Sequence, residues 1–266
     1  MITDPGMRKT FRSDRKTLRA IPLIVLALAA VAMALHGPIA PLPHYHHFAD
    51  SRSWLGIPHA ADVLSNFPFA MLAAWAALRV RSARAAVGRA WPGFVTFLIA
   101  LAWTAAGSGY YHWAPDNARL VWDRLPIALA CAGLLDAMHA RSFAGSMPWR
   151  LPGLIAFAVA SVAWWAWTDA RGIGDLRPYL LLQGAPLVVV PLWQAAAGAP
   201  RRERIAFAIA IALYALAKVL ELADAQVLHA TGFVSGHTLK HLVAALAAAV
   251  IVQLLTERRT ERGLIG

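Results

Sequence analysis

The chain has 266 residues, of which 59% are hydrophobic and only 15% are charged, and its mean hydropathy is +0.53. A soluble domain carries roughly a quarter charged residues, so this composition excludes an ordinary soluble protein and indicates a membrane protein. The formal net charge is +11, but the basic residues stand in short segments between apolar runs, which is typical of membrane topology signals rather than of a nucleic-acid-binding surface.

Eight apolar segments follow one another along the chain, each close to the roughly 20 residues that a helix needs to cross a bilayer. Because lipid offers the backbone no hydrogen bonds, these segments must be helices, and the predicted fold class is an all-α polytopic membrane protein. The segments are Ala20 to Leu35, Ala60 to Leu78, Trp91 to Gly109, Leu120 to Ala137, Leu151 to Trp167, Tyr179 to Ala196, Ile205 to Leu222 and Thr238 to Leu255.

The connections between these segments alternate in charge. Tails and loops on one side of the membrane carry eighteen Lys and Arg residues, whereas the loops on the other side carry four. Since basic residues accumulate on the cytoplasmic side, this bias places both termini in the cytoplasm and predicts eight crossings.

The first segment also has features of a signal peptide. It has a basic start, an apolar middle and a small-residue sequence, Ala32-Met33-Ala34, that fits a cleavage site. We favour an uncleaved helix, because the apolar run is long for a signal.

Several polar residues fall at the outward ends of these helices, where ionisable groups are costly and mark functional sites. Ser108 and His112 end the third helix four residues apart, so they share a helix face. Asp123 lies near the start of the fourth helix, and His237 and His241 start the eighth, again four residues apart. The topology therefore predicts that three histidines and one carboxylate lie at the same depth.

Two histidines at i and i+4 with a distant third are a recurring zinc ligand set that leaves one position open for water. Asp123 has the chemistry to take a proton from that water, and Ser108 can donate to a developing oxyanion. Simpler interpretations remain: interfacial hydrogen bonding for the histidines, close helix packing for Ser108, and an ion pair of Asp123 with Arg124 or Arg119. Haem ligation would need histidine pairs at two depths, and the sequence places them at one.

Together these motifs resemble the alkaline ceramidase family, part of the CREST superfamily of seven-helix membrane hydrolases and receptors. The match consists of Ser108-x-x-x-His112, Asp123 eleven residues later, and His237-x-x-x-His241 at the start of the last helix. Asp62-Val63-Leu64-Ser65-Asn66 is similar to the Ser-Asn signature of that family's first core helix.

The resemblance implies a zinc amidase that cleaves a ceramide-like membrane lipid into a fatty acid and a sphingoid-type base. His112, His237 and His241 would ligate zinc, Asp123 would be the general base, and Ser108 would stabilise the oxyanion. The implied organisation is a seven-helix CREST-type bundle preceded by one extra helix. In this division a basic cytoplasmic tail (1–19), an extra transmembrane helix (20–36) and an outer loop (37–59) precede the catalytic membrane domain (60–256) and a second cytoplasmic tail (257–266).

The outer loop departs from the family pattern. Animal members bind calcium there, but this loop is rich in histidine, and His59 stands where a glutamate would be expected. Asp50, Asp62 and Asn66 are the accessory residues that remain, and calcium needs six to eight oxygen ligands, so we expect no calcium site. Asp50 and Arg52 are predicted to brace the loop over the site, and Lys218 and Glu221 to form a structural ion pair.

Three functions are therefore open at the level of the sequence. The first is hydrolysis of a ceramide-like lipid amide at the outer face of a bacterial cytoplasmic membrane. The second is a lipid esterase or phospholipid-remodelling hydrolase of the same superfamily, because the same zinc chemistry attacks esters. The third is a non-catalytic seven-helix receptor, which would retain zinc and give no turnover.

Overall fold

The computed structural model describes residues 5–145 and 147–257, with side chains described from residue 20 onward except for residues 80–83. Within this part the regular elements are helices, with no strand. Residues 1–4 and 258–266 of the two predicted tails lie outside the described residues. The rest of the predicted N-terminal tail continues helix α1.

The helices are α1 (Pro5–His36), α2 (Ala60–Leu64), α3 (Phe67–Val87), α4 (Trp91–Trp113), α5 (Asn117–Ser142), α6 (Arg150–Asp169), α7 (Arg177–Ala196), α8 (Arg201–Leu222), α9 (Asp224–Thr231) and α10 (Gly236–Thr256), with a 3₁₀ turn at Gly88–Ala90. Six apolar spans in the described residues are long enough to cross a membrane. They are Ala60–Arg79, Arg84–Trp113, Arg150–Asp169, Arg177–Ala196, Arg201–Leu222 and Gly236–Thr256. The prediction of a helical membrane protein is confirmed.

Two predicted segments differ from the other six. The apolar part of α1, Ala20–His36, is shorter than the six spans. Helix α5 has 26 residues but carries Asp123, Arg124 and Asp136, all buried, and it is therefore less apolar than the spanning helices. It nevertheless lies in the centre of the bundle, packed against α4, α6 and α7.

The second predicted segment forms two helices rather than one. Helix α2 ends at Leu64, and α3 begins at Phe67 with Pro68 in its first turn. Because proline has no N–H, a continuous helix would leave the Leu64 carbonyl without its usual partner. Ser65 and Asn66 occupy the break, and both side chains donate to the Asp62 carbonyl.

Glycines allow α4 and α5 to pack with their backbones in contact. A Cβ on Gly93 would lie 2.5 Å from the Ala137 nitrogen, and one on Gly107 would lie 2.1 Å from the Trp122 carbonyl oxygen. Such small-residue contacts are how membrane helices approach closely. The contact at Gly107 places the following residue, Ser108, beside the residue after Trp122, which is Asp123.

The outer loop, residues 37–59, is held to the bundle at several points. The Asp224 carboxylate accepts a hydrogen bond from the Ala49 N–H at 2.9 Å. Arg52 contacts both oxygens of Asp50, at 2.8 and 2.7 Å, and also donates to the Phe233 carbonyl at 2.7 Å. These hydrogen bonds from Arg52 hold the pKa of the Asp50 carboxyl below its usual value. The predicted bracing role of Asp50 and Arg52 agrees with this geometry.

Candidate metal centre

Three buried histidines meet at one end of the bundle. His112 lies in the last turn of α4, and His237 and His241 lie in the first two turns of α10. Each offers a ring nitrogen, and the three nitrogens lie within 4.8 Å of one another. His112 is 1% exposed, and the other two are 6% and 5% exposed. The three residues predicted to bind metal are therefore together, and they could hold a metal ion.

The start of α10 is fixed in place by its local sequence. Ser235 caps the helix by accepting a hydrogen bond from the Thr238 N–H at 3.1 Å. A Cβ on Gly236 would lie 2.2 Å from the Leu220 carbonyl oxygen, so only glycine allows this close approach to α8. The His237 N–H donates to the Asp224 carboxylate at 2.7 Å. These contacts set the orientation from which His237 and His241 face α4.

The spacing of the histidine nitrogens is compatible with a shared metal ion. The Nε2 atoms of His112 and His237 lie 3.3 Å apart, and two nitrogens bound to one tetrahedral zinc at 2.0–2.1 Å are separated by about 3.3 Å. His112 Nδ1 is buried with no hydrogen-bond partner among the described residues. A metal ion bound to the Nε2 atoms accounts for their close approach but does not itself partner Nδ1.

Polar residues outside the histidine cluster contact the Nδ1 side of the His241 ring. The Ser65 hydroxyl donates its single proton to the Asp62 carbonyl at 3.0 Å and lies 2.7 Å from His241 Nδ1. With this orientation of the hydroxyl, we assign the proton of His241 to Nδ1, the tautomer that leaves the Nε2 lone pair free to bind a metal. Asn66 donates to the same carbonyl at 2.8 Å.

The carboxylate of Asp62 belongs to this group of polar residues too. Its Oδ1 accepts from the Thr238 hydroxyl at 2.6 Å, while its Oδ2 has no partner among the described residues. Two of the predicted accessory residues, Asp62 and Asn66, thus contact the first turns of α10, which carry His237 and His241. The third, Asp50, is occupied by Arg52 in the loop.

Ser108 lies one helical turn before His112 on α4, and Asp123 lies on the neighbouring helix α5; both fall outside the set that could ligate a metal. Both are buried, at 2% and 9% exposure, and the Ser108 side chain interacts with the Asp123 carboxylate. Among the described residues Asp123 forms no ion pair, because Arg119 pairs with Asp116 instead. The ion-pair interpretation of Asp123 is therefore not supported by the geometry.

Three residues near the site were not assigned a role in it from the sequence. Phe48 in the outer loop covers the histidines, with ring centroids 4.6 Å from His112 and 4.5 Å from His237. Lys240 pairs with Glu221 at 2.8 Å, and this extends the predicted pair of Glu221 with Lys218. Asp224 joins the loop to α10. An ionisable residue in an apolar helix was the available signal for Lys240, but no local signal points to Phe48.

Comparisons of the chain with protein-family models, curated proteins and solved structures found no match. The interpretation of the site therefore depends on its own geometry. The three buried imidazoles can bind a metal, and the contacting pair of Asp123 and Ser108 can accept a proton and donate a hydrogen bond. Those are the three capacities that hydrolysis of an acyl bond requires.

Proposed function

We propose that this chain is a zinc-dependent membrane hydrolase of the alkaline ceramidase type that cleaves a ceramide-like lipid amide. The observation that carries the proposal is the meeting of His112, His237 and His241 in one buried cluster. The residue spacings that resemble the alkaline ceramidase family point to the same chemistry.

Each residue has a distinct part in the proposed reaction. His112, His237 and His241 would hold zinc, which when bound acts as a Lewis acid and lowers the pKa of water to about 7. The Asp123 carboxylate accepts the proton of the attacking water and passes it to the leaving amine. The Ser108 hydroxyl donates to the carbonyl oxygen as negative charge develops there. The acyl carbon gains a hydroxyl group, the C–N bond breaks, and a fatty acid and a sphingoid-type base are released.

The proposed setting is a bacterial cytoplasmic membrane with the site facing the exterior. Tails and loops on one side carry eighteen Lys and Arg residues and those on the other side carry four. This bias favours an orientation with both termini in the cytoplasm. We propose eight crossings, in which α1 precedes a seven-helix bundle of the CREST type and α5 spans in spite of its charges. Helix α5 packs against α4, α6 and α7, so its charges are buried inside the bundle rather than exposed to lipid.

The first test is metal content. Purified wild-type protein should contain about one zinc per chain, and His237→Ala should contain none, because a two-histidine site binds zinc weakly. His139→Ala is the matched control, since His139 is a half-buried histidine on α5 that contacts Arg150 far from the cluster. Equal zinc in wild type and His237→Ala would refute the proposed centre.

The second test is turnover. Wild-type protein incubated with ceramide should release fatty acid, and His112→Ala should not. Release from a phospholipid with ceramide left intact would identify an esterase instead. Bound zinc without turnover of either lipid would favour the receptor function.

A further inference from the structure

Arg124 is a buried cation that has no counter-ion in hydrogen-bond contact among the described residues. It follows Asp123 on α5 and is only 3% exposed. Its Nη1 atom has no hydrogen-bond partner among the described residues. Asp123 is an acid near enough to act on it electrostatically, but the two side chains form no ion pair. Burying such a charge without a partner is costly, so its presence calls for an explanation.

Other shielded cations in the described part of the chain behave differently. Each of the following has a carboxylate oxygen within 4 Å: Arg119, Arg141, Arg150, Arg177 and Lys240. The bundle thus pairs its structural cations with acids. Arg124 lacks such an acid, although it is more deeply buried than Arg150 or Arg177.

Aromatic rings surround the Arg124 guanidinium. Its central carbon lies 3.9 Å from the ring centroid of Trp165, 5.3 Å from that of Tyr45 and 5.7 Å from that of Tyr179. Rings offset part of the cost of burying the charge but accept no strong hydrogen bond. Trp165 is fully buried, and its indole N–H also has no partner among the described residues. Two unpartnered N–H donors therefore belong to side chains in direct contact.

These two donors lack an acceptor, and the charge of Arg124 lacks an anion. A carboxylate supplies both needs, because it has one negative charge and two oxygens. A phosphate group carries up to two charges and three strong acceptor oxygens, more than one guanidinium and one indole can satisfy. The surrounding apolar rings suit a carboxylate that is attached to a hydrocarbon chain.

We propose that Arg124 and Trp165 form a binding site for the carboxylate group of a lipid-like ligand. The inference rests on the proposed function, because it assigns a substrate or product feature to the same region of the bundle. The carboxylate has two sources, either the head group of an N-acyl amino acid substrate or the fatty acid that hydrolysis releases. Both present the same chemistry to Arg124.

Direct binding tests the site without depending on turnover. The probes are oleate and N-oleoylglycine, which carry a carboxylate, and N-oleoylethanolamine, which is neutral. Arg124→Gln should weaken binding of both carboxylates at least about tenfold, the loss expected for one charge-assisted hydrogen bond, and leave the neutral lipid unchanged. Equal affinities in wild type and Arg124→Gln would overturn the proposal.

Arg171→Gln is the matched control. The Arg171 guanidinium stacks on Trp167 at the same distance of 3.9 Å but is exposed to solvent, so its loss should leave all three affinities unchanged. Trp165→Phe is the second variant, because it retains the ring and removes the N–H. It should weaken carboxylate binding by about two- to tenfold. No effect of Trp165→Phe, together with a lowered melting temperature for Arg124→Gln, would mean that Arg124 is structural.

Turnover separates the two sources. If the head group binds, Arg124→Gln should lower kcat/KM for N-oleoylglycine relative to N-oleoylethanolamine and leave inhibition by oleate unchanged. If the product binds, the variant should relieve inhibition by oleate and leave the substrate preference unchanged. Carboxylate binding that depends on Arg124 without turnover of any amide would contradict the proposed function and uphold the binding site.

Discussion

The two ends of the bundle differ in how many buried polar atoms lack a partner among the described residues. At the end away from the histidines, buried acids are joined to bases in ion pairs: Asp136 with Arg150, and Glu203 with Arg141. At the histidine end, several buried atoms have no partner among the described residues: His112 Nδ1, Asp62 Oδ2, Asn66 Oδ1, Arg124 Nη1 and Trp165 Nε1.

The difference indicates what each end does. Paired charges hold helices together without calling for any further molecule. Unpartnered buried groups cost free energy unless a ligand satisfies them, so a cluster of them marks a binding site. The same helix, α5, contributes Asp136 to the first kind of environment and Asp123 to the second.

The largest expected contrast is between these two carboxylates. Asp123→Asn should lower kcat by about 10²–10⁴-fold, the usual contribution of a general base, while zinc content stays unchanged. Asp136→Asn should preserve kcat and lower the melting temperature, because it leaves Arg150 without its counter-ion. Equal losses of activity in the two variants would remove the distinction between the ends.

Removing the Ser65 hydroxyl, which contacts His241 Nδ1, should have a smaller effect. Ser65→Ala should weaken zinc binding by about 10–100-fold, because an outer partner that fixes a histidine tautomer is lost. Ser161→Ala is the control, since Ser161 is equally buried but donates only to the Ala158 carbonyl in its own helix. Competition with a chelator measures both affinities, and an unchanged affinity in Ser65→Ala would contradict the assigned tautomer.

The close contact between α4 and α5 at the histidine end can be tested by substituting Gly107. Gly107→Ala should lower the free energy of unfolding by about 1–3 kcal/mol, because the new methyl group would overlap the Trp122 carbonyl. It should also lower activity by moving Ser108 away from Asp123. Gly153→Ala has open space around its Cβ, so it should instead stabilise α6 by about 0.5–1 kcal/mol. Thermal unfolding in detergent measures both.

The smallest expected effect is the pH dependence of outer-loop stability that the Asp50–Arg52 ion pair produces. Arg52 lowers the folded-state pKa of Asp50, so the pair stabilises the loop fully above the unfolded pKa of about 3.9 and loses that effect as pH falls through the lower folded pKa. Asp50→Asn should therefore make the loop more sensitive to protease at neutral pH and no different from wild type in strong acid.

Arg52→Gln should reproduce this profile, and the double variant should add nothing, because both residues belong to one interaction. Additive effects of the two substitutions would show that Asp50 and Arg52 act separately.

Sequence reasoning was most successful where the signal is local. Seven of the eight apolar segments each fall within one helix, and Ser108 with His112, like His237 with His241, shares a helix face as their spacing predicted. The break at Ser65 and Asn66 was missed, because the apolar run continues across it and predicts a single helix. Helix α9 was missed because it is short and lies between two longer segments.

By itself the sequence determined the membrane class, the order of helices and the set of residues that could bind a metal. Those properties follow from hydropathy, charge and i to i+4 spacing, which act within one helix. Only the tertiary structure decided that Ser65 contacts His241, 176 positions later, and that Arg124 lies against Trp165 without an acid. Such contacts depend on how each helix is rotated and how closely it packs, and glycine contacts such as Gly107 against Trp122 set both.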